Sequence, residues 1–254
     1  MSLEVQGCSG GYGDIQVLRD VSVATSSGTI TVVLGRNGAG KTSLLSAIAG
    51  LLPTVSSGSI TLDGVDLRRM TPYDRIAGGL AFVQEGKRVF HRRSVEENLV
   101  IGGQTLPHPL FGLRRGAQIK AAIEQAYERF PMLAERRNTP AGKMSGGQQQ
   151  MLAIAQALMP GPKALMLDEP SAGLAPAIAA DVFALVDRLK GDGLAVLLVE
   201  QVVEQALAIA DEVIVLEGGR VVARGHVSAF DDAAVVRDLY LGRHERMTER
   251  PPGP

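Results

Sequence analysis

The chain has 254 residues, of which 45% are hydrophobic, so it can bury a substantial core in one large domain or two small ones. Its 26 Lys and Arg residues nearly balance its 27 Asp and Glu residues, and the net charge of -1 gives no general basic field for nucleic acid or an anionic membrane surface. No apolar stretch is long enough to span a bilayer, the N-terminus lacks a signal-peptide pattern, and Cys8 is the only cysteine, so we expect a soluble protein of a reducing cytoplasm.

A glycine-rich loop follows the predicted strand at 30–34. The loop fits the pattern GxxxxGK[ST], and apolar residues then recur at helical spacing as far as Gly50. Backbone N–H groups of such a loop bind phosphates together with the helix dipole, Lys41 adds a positive charge, and the Thr42 hydroxyl can ligate Mg²⁺. The residues assigned to nucleotide binding here are Gly35, Arg36, Asn37, Gly38, Ala39, Gly40, Lys41, Thr42 and Ser43. An ordinary glycine turn between a strand and a helix is the alternative.

A second glycine-containing segment, MSGGQ at 144–148, precedes an apolar stripe with helical spacing. Ser145 and Gln148 fit a capping box, which predicts a helix that begins here and ends near Pro160. Two glycines are poor helix formers, and they favour a ligand that approaches the backbone closely. The segment therefore predicts a phosphate site at a helix N-terminus, with a well-capped helix that binds no ligand as the alternative.

Two later apolar runs predict central strands of a parallel sheet. The run at 164–167 leads into Asp168 and Glu169, and the run at 195–199 leads into Glu-Gln at 200–201, with an amphipathic helix predicted between them, from Ile178 to Lys190. Ligands of an open α/β sheet bind beyond the carboxyl ends of its strands, so we expect these residues to meet the phosphate loop at one magnesium nucleotide site. The alternative is two acidic residues that simply begin a solvated loop.

The two carboxylates can perform different tasks at such a site. Asp168 would bind Mg²⁺, directly or through water, while Glu169 would orient and polarise the water that attacks the γ-phosphate. In this order and spacing, GRNGAGKT, MSGGQ and LMLDEP resemble the phosphate loop, signature and Walker B motifs of an ATP-binding cassette (ABC) subunit. The resemblance covers roughly residues 3 to 225.

The resemblance implies an α/β fold of the P-loop NTPase type, with a mostly parallel sheet flanked by helices, an N-terminal antiparallel β part and an inserted helical subdomain. It implies one ABC ATPase domain over 1–242. The core, similar to RecA, would occupy about 1–86 and 158–225, and the helical subdomain about 87–157, with an amphipathic helix from Gln118 to Phe130. The charged, proline-rich segment 243–254 is expected to be a disordered tail.

In this family two cassettes form a head-to-tail dimer, and each ATP lies between the phosphate loop of one and the signature of the other. The resemblance thus implies ATP and Mg²⁺ as cofactors and Lys41, Glu169 and Gln201 as catalytic residues. The residues that would contact nucleotide in trans are Ser145, Gly146, Gly147 and Gln148. Tyr12 matches the aromatic residue that stacks on adenine, and an ordinary edge-strand aromatic is the alternative.

Three positions differ from the commonest cassette pattern. Glu85 stands at the family's magnesium-contacting glutamine, which implies Thr42, Glu85 and Asp168 as metal ligands, and Ala175 replaces an aspartate that closes the dimer contact. Gln201 replaces the switch histidine; it can donate a hydrogen bond to the γ-phosphate but cannot carry imidazolium charge. With EGKRVF and SAGLAP, these differences resemble the LivF-type subunits of branched-chain amino acid importers, and are similar also to the corresponding urea and short-chain amide importer subunits.

The resemblance implies an ATPase that couples hydrolysis to solute uptake, peripheral at the cytoplasmic face of the inner or plasma membrane. Its implied partners are a second, non-identical cassette, transmembrane permease subunits and, indirectly, a solute-binding protein; no nucleic acid is expected. A soluble cassette protein acting in DNA repair or translation is the competing class, but those proteins usually carry tandem cassettes, long coiled coils or a basic arm. A phosphate-loop kinase would leave MSGGQ unexplained.

Overall fold

The computed structural model describes residues 1–106 and 115–230, so the expected tail at 243–254 and the end of the predicted domain lie outside the described residues. In these ranges the strands are Ser2–Tyr12 (β1), Ile15–Ser26 (β2), Ile30–Leu34 (β3), Thr54–Leu62 (β4), Val65–Asp66 (β5), Leu80–Val83 (β6), Ala164–Asp168 (β7), Ala195–Glu200 (β8), Glu212–Glu217 (β9) and Arg220–His226 (β10). The helices are Lys41–Ala49 (α1), Pro72–Ala77 (α2), Val95–Gly102 (α3), Arg115–Arg129 (α4), Pro131–Ala134 (α5), Gly146–Leu158 (α6), Pro176–Gly191 (α7) and Val203–Leu207 (α8).

The larger sheet has the strand order β10-β9-β3-β8-β7-β6. All neighbours in it pair in parallel except β10, which runs antiparallel to β9. Every residue of β3, β7 and β8 is buried, as expected for central strands covered on both faces. The prediction of a mostly parallel sheet flanked by helices is confirmed.

The smaller sheet has the order β2-β1-β4-β5, and all of its pairs are antiparallel. In β1 the buried residues Leu3 and Val5 alternate with more exposed neighbours, so one face of this sheet contributes to the core. Cys8 is a fully buried free thiol in the same strand. The predicted N-terminal antiparallel part is therefore confirmed.

Helices cover both faces of the larger sheet. Helix α1 packs between the two sheets through Leu44, Leu45 and Ile48, which belong to a core shared with β1 and β4. On the other face, α6 and α7 contribute Ile154 and Val182 to a second core. The predicted helices at 178–190 and after Ser145 correspond to α7 and α6, and that at 118–130 to α4. No helix in the described ranges combines the length and apolar character needed to cross a membrane.

A buried arginine closes the C-terminal end of α1. Arg75 is 4% exposed, and its Nη1 donates hydrogen bonds to the carbonyls of Ala47 at 2.8 Å and Ile48 at 2.6 Å, while its Nε donates to Met70 at 3.3 Å. Burial lowers the pKa of Arg75, and the Asp66 carboxylate opposes that effect only in part. Gly50, with φ of 78°, ends α1 beside the guanidinium and donates its N–H to the Ala47 carbonyl at 3.2 Å, and the cation adds its own hydrogen bonds to carbonyls of the last helical turn.

Candidate functional site

The carboxyl ends of three adjacent strands, β3, β8 and β7, form the centre of the candidate site. Leu34 pairs with Glu200, and Asp168 pairs with Val199, so the three strands end at nearly the same level. The phosphate loop leaves β3, Gln201 follows β8, and Glu169 follows β7. The chain thus brings together the segments that sequence analysis assigned to one nucleotide site.

The loop between β3 and α1 needs glycine at specific positions. Gly38 has φ of 80° and Gly40 has φ of 105°, conformations that side chains strongly disfavour. A Cβ on Gly35 would lie 2.4 Å from the carbonyl oxygen of Leu216, so the loop packs tightly on β9. The N-terminal N–H groups of α1 follow Gly40 directly, where an anion would be stabilised by the helix dipole.

Lys41 lies inside this loop. Its side chain is 5% exposed, and Nζ donates hydrogen bonds to the carbonyls of Gly35 at 2.8 Å and Arg36 at 3.3 Å. The same Nζ lies 3.6 Å from Glu169 Oε1, a carboxylate that is only 12% exposed. The ammonium group is therefore held between the loop and the expected catalytic glutamate.

Asp168 is a buried carboxylate linked to the start of α1. It is 2% exposed, and its Oδ1 accepts a hydrogen bond from the Thr42 hydroxyl at 3.1 Å. Burial raises the pKa of Asp168 to about 6; the Thr42 hydrogen bond and the Lys41 charge oppose the rise, while the charges of Glu169 and Glu85 add to it. A divalent cation would relieve this concentration of negative charge.

The residues at this position fit Mg²⁺ by their chemistry. Hydroxyl and carboxylate oxygens are ligands that Mg²⁺ prefers, and Thr42 and Asp168 offer them within hydrogen-bond distance of each other. The described residues contain no group of three or more His, Cys, Asp or Glu placed to hold a metal ion.

Glu169 has an unusual backbone conformation for a residue other than glycine. Its φ is 46°, in the left-handed region, and its N–H donates to the Val199 carbonyl at 2.9 Å. Its Oε2 accepts a hydrogen bond from Gln201 Nε2 at 2.5 Å. Uncommon backbone conformations of this kind persist where surrounding structure holds them, and they concentrate at functional sites.

The phosphate loop, Glu169 and Gln201 line a common cavity of about 340 Å³. Its lining consists of Val17, Asn37, Gly38, Gly40, Lys41, Thr42, Ser43, Glu85, Glu169 and Gln201. Val17 was missed by sequence analysis, because an apolar residue in β2 looks like any other strand residue. Tyr12 is 46% exposed at the end of β1 and is not among the described residues that line the cavity.

The signature segment begins α6, outside the lining of this cavity. Its predicted capping box is present: Ser145 Oγ accepts from Gln148 N at 3.3 Å, and Ser145 N donates to Gln148 Oε1 at 3.1 Å. Gly147 is buried, and a Cβ there would come within 2.1 Å of the Ile178 side chain on α7. Close packing between α6 and α7 therefore explains why a glycine is needed at position 147, which the sequence did not reveal. The contact of Gly147 with nucleotide stays a prediction.

A phosphate loop after β3 and an Asp-Glu pair at the end of β7, two strands away in the same parallel part of the sheet, define a P-loop nucleotide hydrolase. Residues 18–172 match the ABC transporter family model. The chain is 45% identical to the high-affinity branched-chain amino acid transport ATP-binding protein BraG of Pseudomonas aeruginosa, over 91% of this chain and 95% of that protein. It is 38% identical to the probable branched-chain amino acid transport ATP-binding protein LivF of Archaeoglobus fulgidus, over 91% and 95% of the two chains.

Solved structures of ABC transporter cassettes share the fold of this chain. The crystal structure of the ADP conformation of an ATP-binding cassette of an ABC transporter superposes with a TM-score of 0.81 at 28% identity, over 95% of this chain and 99% of that one. A nucleotide-free cassette from an ABC transporter gives a TM-score of 0.78, also at 28% identity, over 93% and 98%. The chain belongs to the ABC transporter ATP-binding family, and it is an ATPase.

Proposed function

We propose that this chain is the ATP-hydrolysing subunit of a branched-chain amino acid importer. The observation that carries the proposal is the 45% identity to BraG across nearly the full length of both proteins. The 38% identity to LivF supports the same solute class from a distant organism. Uptake of urea or short-chain amides is the alternative for the solute, and the experiment below separates the two.

Nucleotide binding would use the loop between β3 and α1. Its backbone N–H groups and Lys41 Nζ would bind the β- and γ-phosphates, with Nζ exchanging its present carbonyl partners for phosphate oxygens. Thr42, Asp168 and Glu85 would hold Mg²⁺, which when bound neutralises charge on the phosphate oxygens. Tyr12, exposed at the end of β1, would stack on adenine.

Hydrolysis would depend on Glu169. Its carboxylate is nearly buried and lies between the Lys41 ammonium and the Gln201 amide. When Lys41 turns to the phosphates, the carboxylate would be free to accept a hydrogen bond from the attacking water, while Gln201 fixes its direction. Catalysis would then consist of positioning and charge neutralisation, without a covalent intermediate.

A complete site would need a second cassette. Residues 145–148 lie at the N-terminus of α6, away from the lining of the phosphate-loop cavity of the same chain. Contact from this segment to a nucleotide held by a partner's loop would place the chain in a head-to-tail dimer. Permease subunits would hold the dimer at the cytoplasmic face of the membrane, and a solute-binding protein would select the solute.

Uptake in cells that lack the chain tests this function. We expect loss of radiolabelled leucine, isoleucine and valine uptake after deletion, restored by the wild-type chain but not by Glu169→Gln. Urea and acetamide uptake are measured in the same cells. Unchanged amino acid uptake together with lost urea or amide uptake would assign the alternative solute, and no change in any of these uptakes would contradict both proposed solute classes.

A further inference from the structure

Glu200, the last residue of β8, is a buried carboxyl group that the mechanism above does not use. It is 1% exposed. Its Oε1 accepts a hydrogen bond from the backbone N–H of Ser171 at 3.0 Å, and its Oε2 accepts one from the backbone N–H of Gln201 at 3.0 Å. One side chain thus joins the segment that follows β7 to the residue that follows β8.

Both hydrogen-bond partners belong to segments with expected roles in hydrolysis. Gln201 contacts Glu169 through its amide. Ser171 lies two residues after Glu169 and begins the segment 171–175, which turns through hydrogen bonds from Ala172 N to Glu169 O at 3.0 Å and from Leu174 N to Ser171 O at 3.1 Å. The Ser171 side chain is buried, and its Oγ has no hydrogen-bond partner within the described structure, whereas its backbone N–H is hydrogen-bonded to Glu200 of β8.

We propose that Glu200 is a positioning residue for ATP hydrolysis. It holds the backbone of Gln201 so that the amide reaches Glu169. It also fixes the position of the start of segment 171–175 relative to Gln201 and Glu169. This inference rests on the site proposed above. The segment 171–175 leads to Ala175 at the expected dimer contact, so Glu200 also connects that contact to the pair of residues around the attacking water.

The chemistry of the two oxygens makes the proposal testable with an isosteric change. Both atoms accept from backbone donors, so both must be acceptors. In Glu200→Gln the amide keeps the volume, but its NH₂ group faces one N–H donor and cannot accept from it. One buried N–H is left unpaired, and the segment that carries it must shift. Small displacements of positioned catalytic groups can reduce turnover strongly without weakening substrate binding.

The experiment compares Glu200→Gln with wild type in the membrane complex that copurifies with the full-length chain. We expect kcat to fall on the order of 10- to 100-fold, while KM and the affinity for a fluorescent ATP analogue stay unchanged. The rate is expressed per bound nucleotide, so a smaller folded fraction cannot produce the result. Glu204→Gln is the matched control, because it removes an exposed carboxyl group four residues further along the chain, and wild-type kinetics are expected.

A second variant keeps the test decisive if Glu200→Gln does not fold. Glu200→Asp retains two acceptor oxygens, but it is one methylene shorter and cannot reach both N–H groups, so a kcat loss is again expected. Wild-type kcat in either folded variant would overturn the proposal. Glu169→Gln is measured in parallel: normal turnover there would refute the proposed site itself, whereas a slow Glu169→Gln beside a normal Glu200→Gln would refute only the positioning role.

Discussion

Gln201 Nε2 donates a hydrogen bond to Glu169 Oε2 at 2.5 Å. These two residues follow adjacent parallel strands, and each was assigned a separate task from the sequence: one to sense the γ-phosphate, the other to polarise water. Their direct contact means that the sensor also orients the carboxylate. With Lys41 Nζ at 3.6 Å from the other carboxylate oxygen, Glu169 has a cation on one side and an amide donor on the other.

Glu169→Gln should bind MgATP and hydrolyse it very slowly. The amide keeps the shape of the side chain but cannot act as a base, and loss of general base catalysis typically costs about 100-fold or more. Single-turnover hydrolysis with the assembled transporter measures the effect, and a fluorescent ATP analogue measures binding. Glu124→Gln, an exposed substitution on α4, serves as the control. Turnover close to wild type in Glu169→Gln would refute the catalytic role.

Lys41→Ala should fail earlier, at nucleotide binding. Its ammonium is nearly buried beside the phosphate loop, so the substitution removes a charge aimed at the phosphates and leaves Glu169 without its closest cation. Loss of one stabilising donor of this kind costs roughly 3 kcal/mol in a transition state. Titration with an ATP analogue and steady-state ATPase assays give the two readouts, with the exposed Lys120→Ala as control. Unchanged affinity and hydrolysis would contradict the phosphate-loop assignment.

Sequence patterns predicted those parts of the site that are formed by residues close together along the chain. The loop from Gly35 to Ser43 and the capping box of α6 are local arrangements, and short apolar runs located the strand ends. Arg75 could not be predicted in the same way, because its partners are backbone carbonyls of Ala47 and Ile48, which carry no residue-specific signal. The role of Glu200 was equally hidden, since both of its partners are backbone N–H groups.

Asp168→Asn should stabilise the nucleotide-free chain at neutral pH. Because the pKa of Asp168 is raised to about 6 in the folded chain, the carboxylate is ionised at about pH 7.5 in both folded and unfolded states, and its burial then lowers the free energy of unfolding. The Asn side chain removes the charge and retains a carbonyl oxygen for the Thr42 hydroxyl. We therefore expect a higher melting temperature for the variant, together with loss of Mg²⁺-dependent hydrolysis.

The stabilisation expected for Asp168→Asn should depend on pH. As pH falls below about 6, the folded wild-type chain takes up a proton at Asp168 while the unfolded chain stays ionised, so the unfavourable contribution and the difference between variant and wild type should shrink steadily towards the unfolded pKa of 3.8. Melting curves of both proteins without Mg²⁺ and nucleotide, across this range, measure the difference. A variant that melts below wild type at neutral pH would contradict the expected charge effect.

Arg75→Met should destabilise the fold without touching the nucleotide cavity. The substitution introduces an unbranched apolar side chain that fills much of the same space, but it removes the hydrogen bonds to three backbone carbonyls. Buried hydrogen bonds to a charged group contribute about 1.5 to 3 kcal/mol each, so a loss of about 3 kcal/mol or more in the free energy of unfolding is expected. Urea denaturation provides the measurement. Arg69→Met, at an exposed position in the segment before α2, should leave the midpoint unchanged, and an unchanged midpoint in Arg75→Met would refute the capping role.

The last prediction is that the working unit is asymmetric, with this chain paired to a non-identical cassette. Ala175 is the N-cap of α7, and this cap has no side-chain hydrogen bond, so both the expected dimer contact and the helix N-terminus lack a carboxylate. Gln201 lacks a chargeable imidazole. A homodimer would carry both losses at both sites, whereas a partner with aspartate and histidine at the matching positions would restore part of what is missing at each composite site.

Purified alone with MgATP, the chain should therefore be largely monomeric and hydrolyse slowly, as measured by sedimentation and ATPase assays. Ala175→Asp combined with Gln201→His should increase both dimerisation and activity of the lone chain. Because an N-cap residue stabilises α7 by itself, typically by about 1 kcal/mol, Ala175→Ser with Gln201→His is the matched control: serine caps the helix but offers no carboxylate to a partner. Equal recovery with serine would attribute the gain to helix capping, and recovery with Gln201→His alone would indicate a simple catalytic defect. A stable wild-type homodimer with rapid hydrolysis would refute asymmetry outright, because dimer contacts spread over many other residues would then suffice.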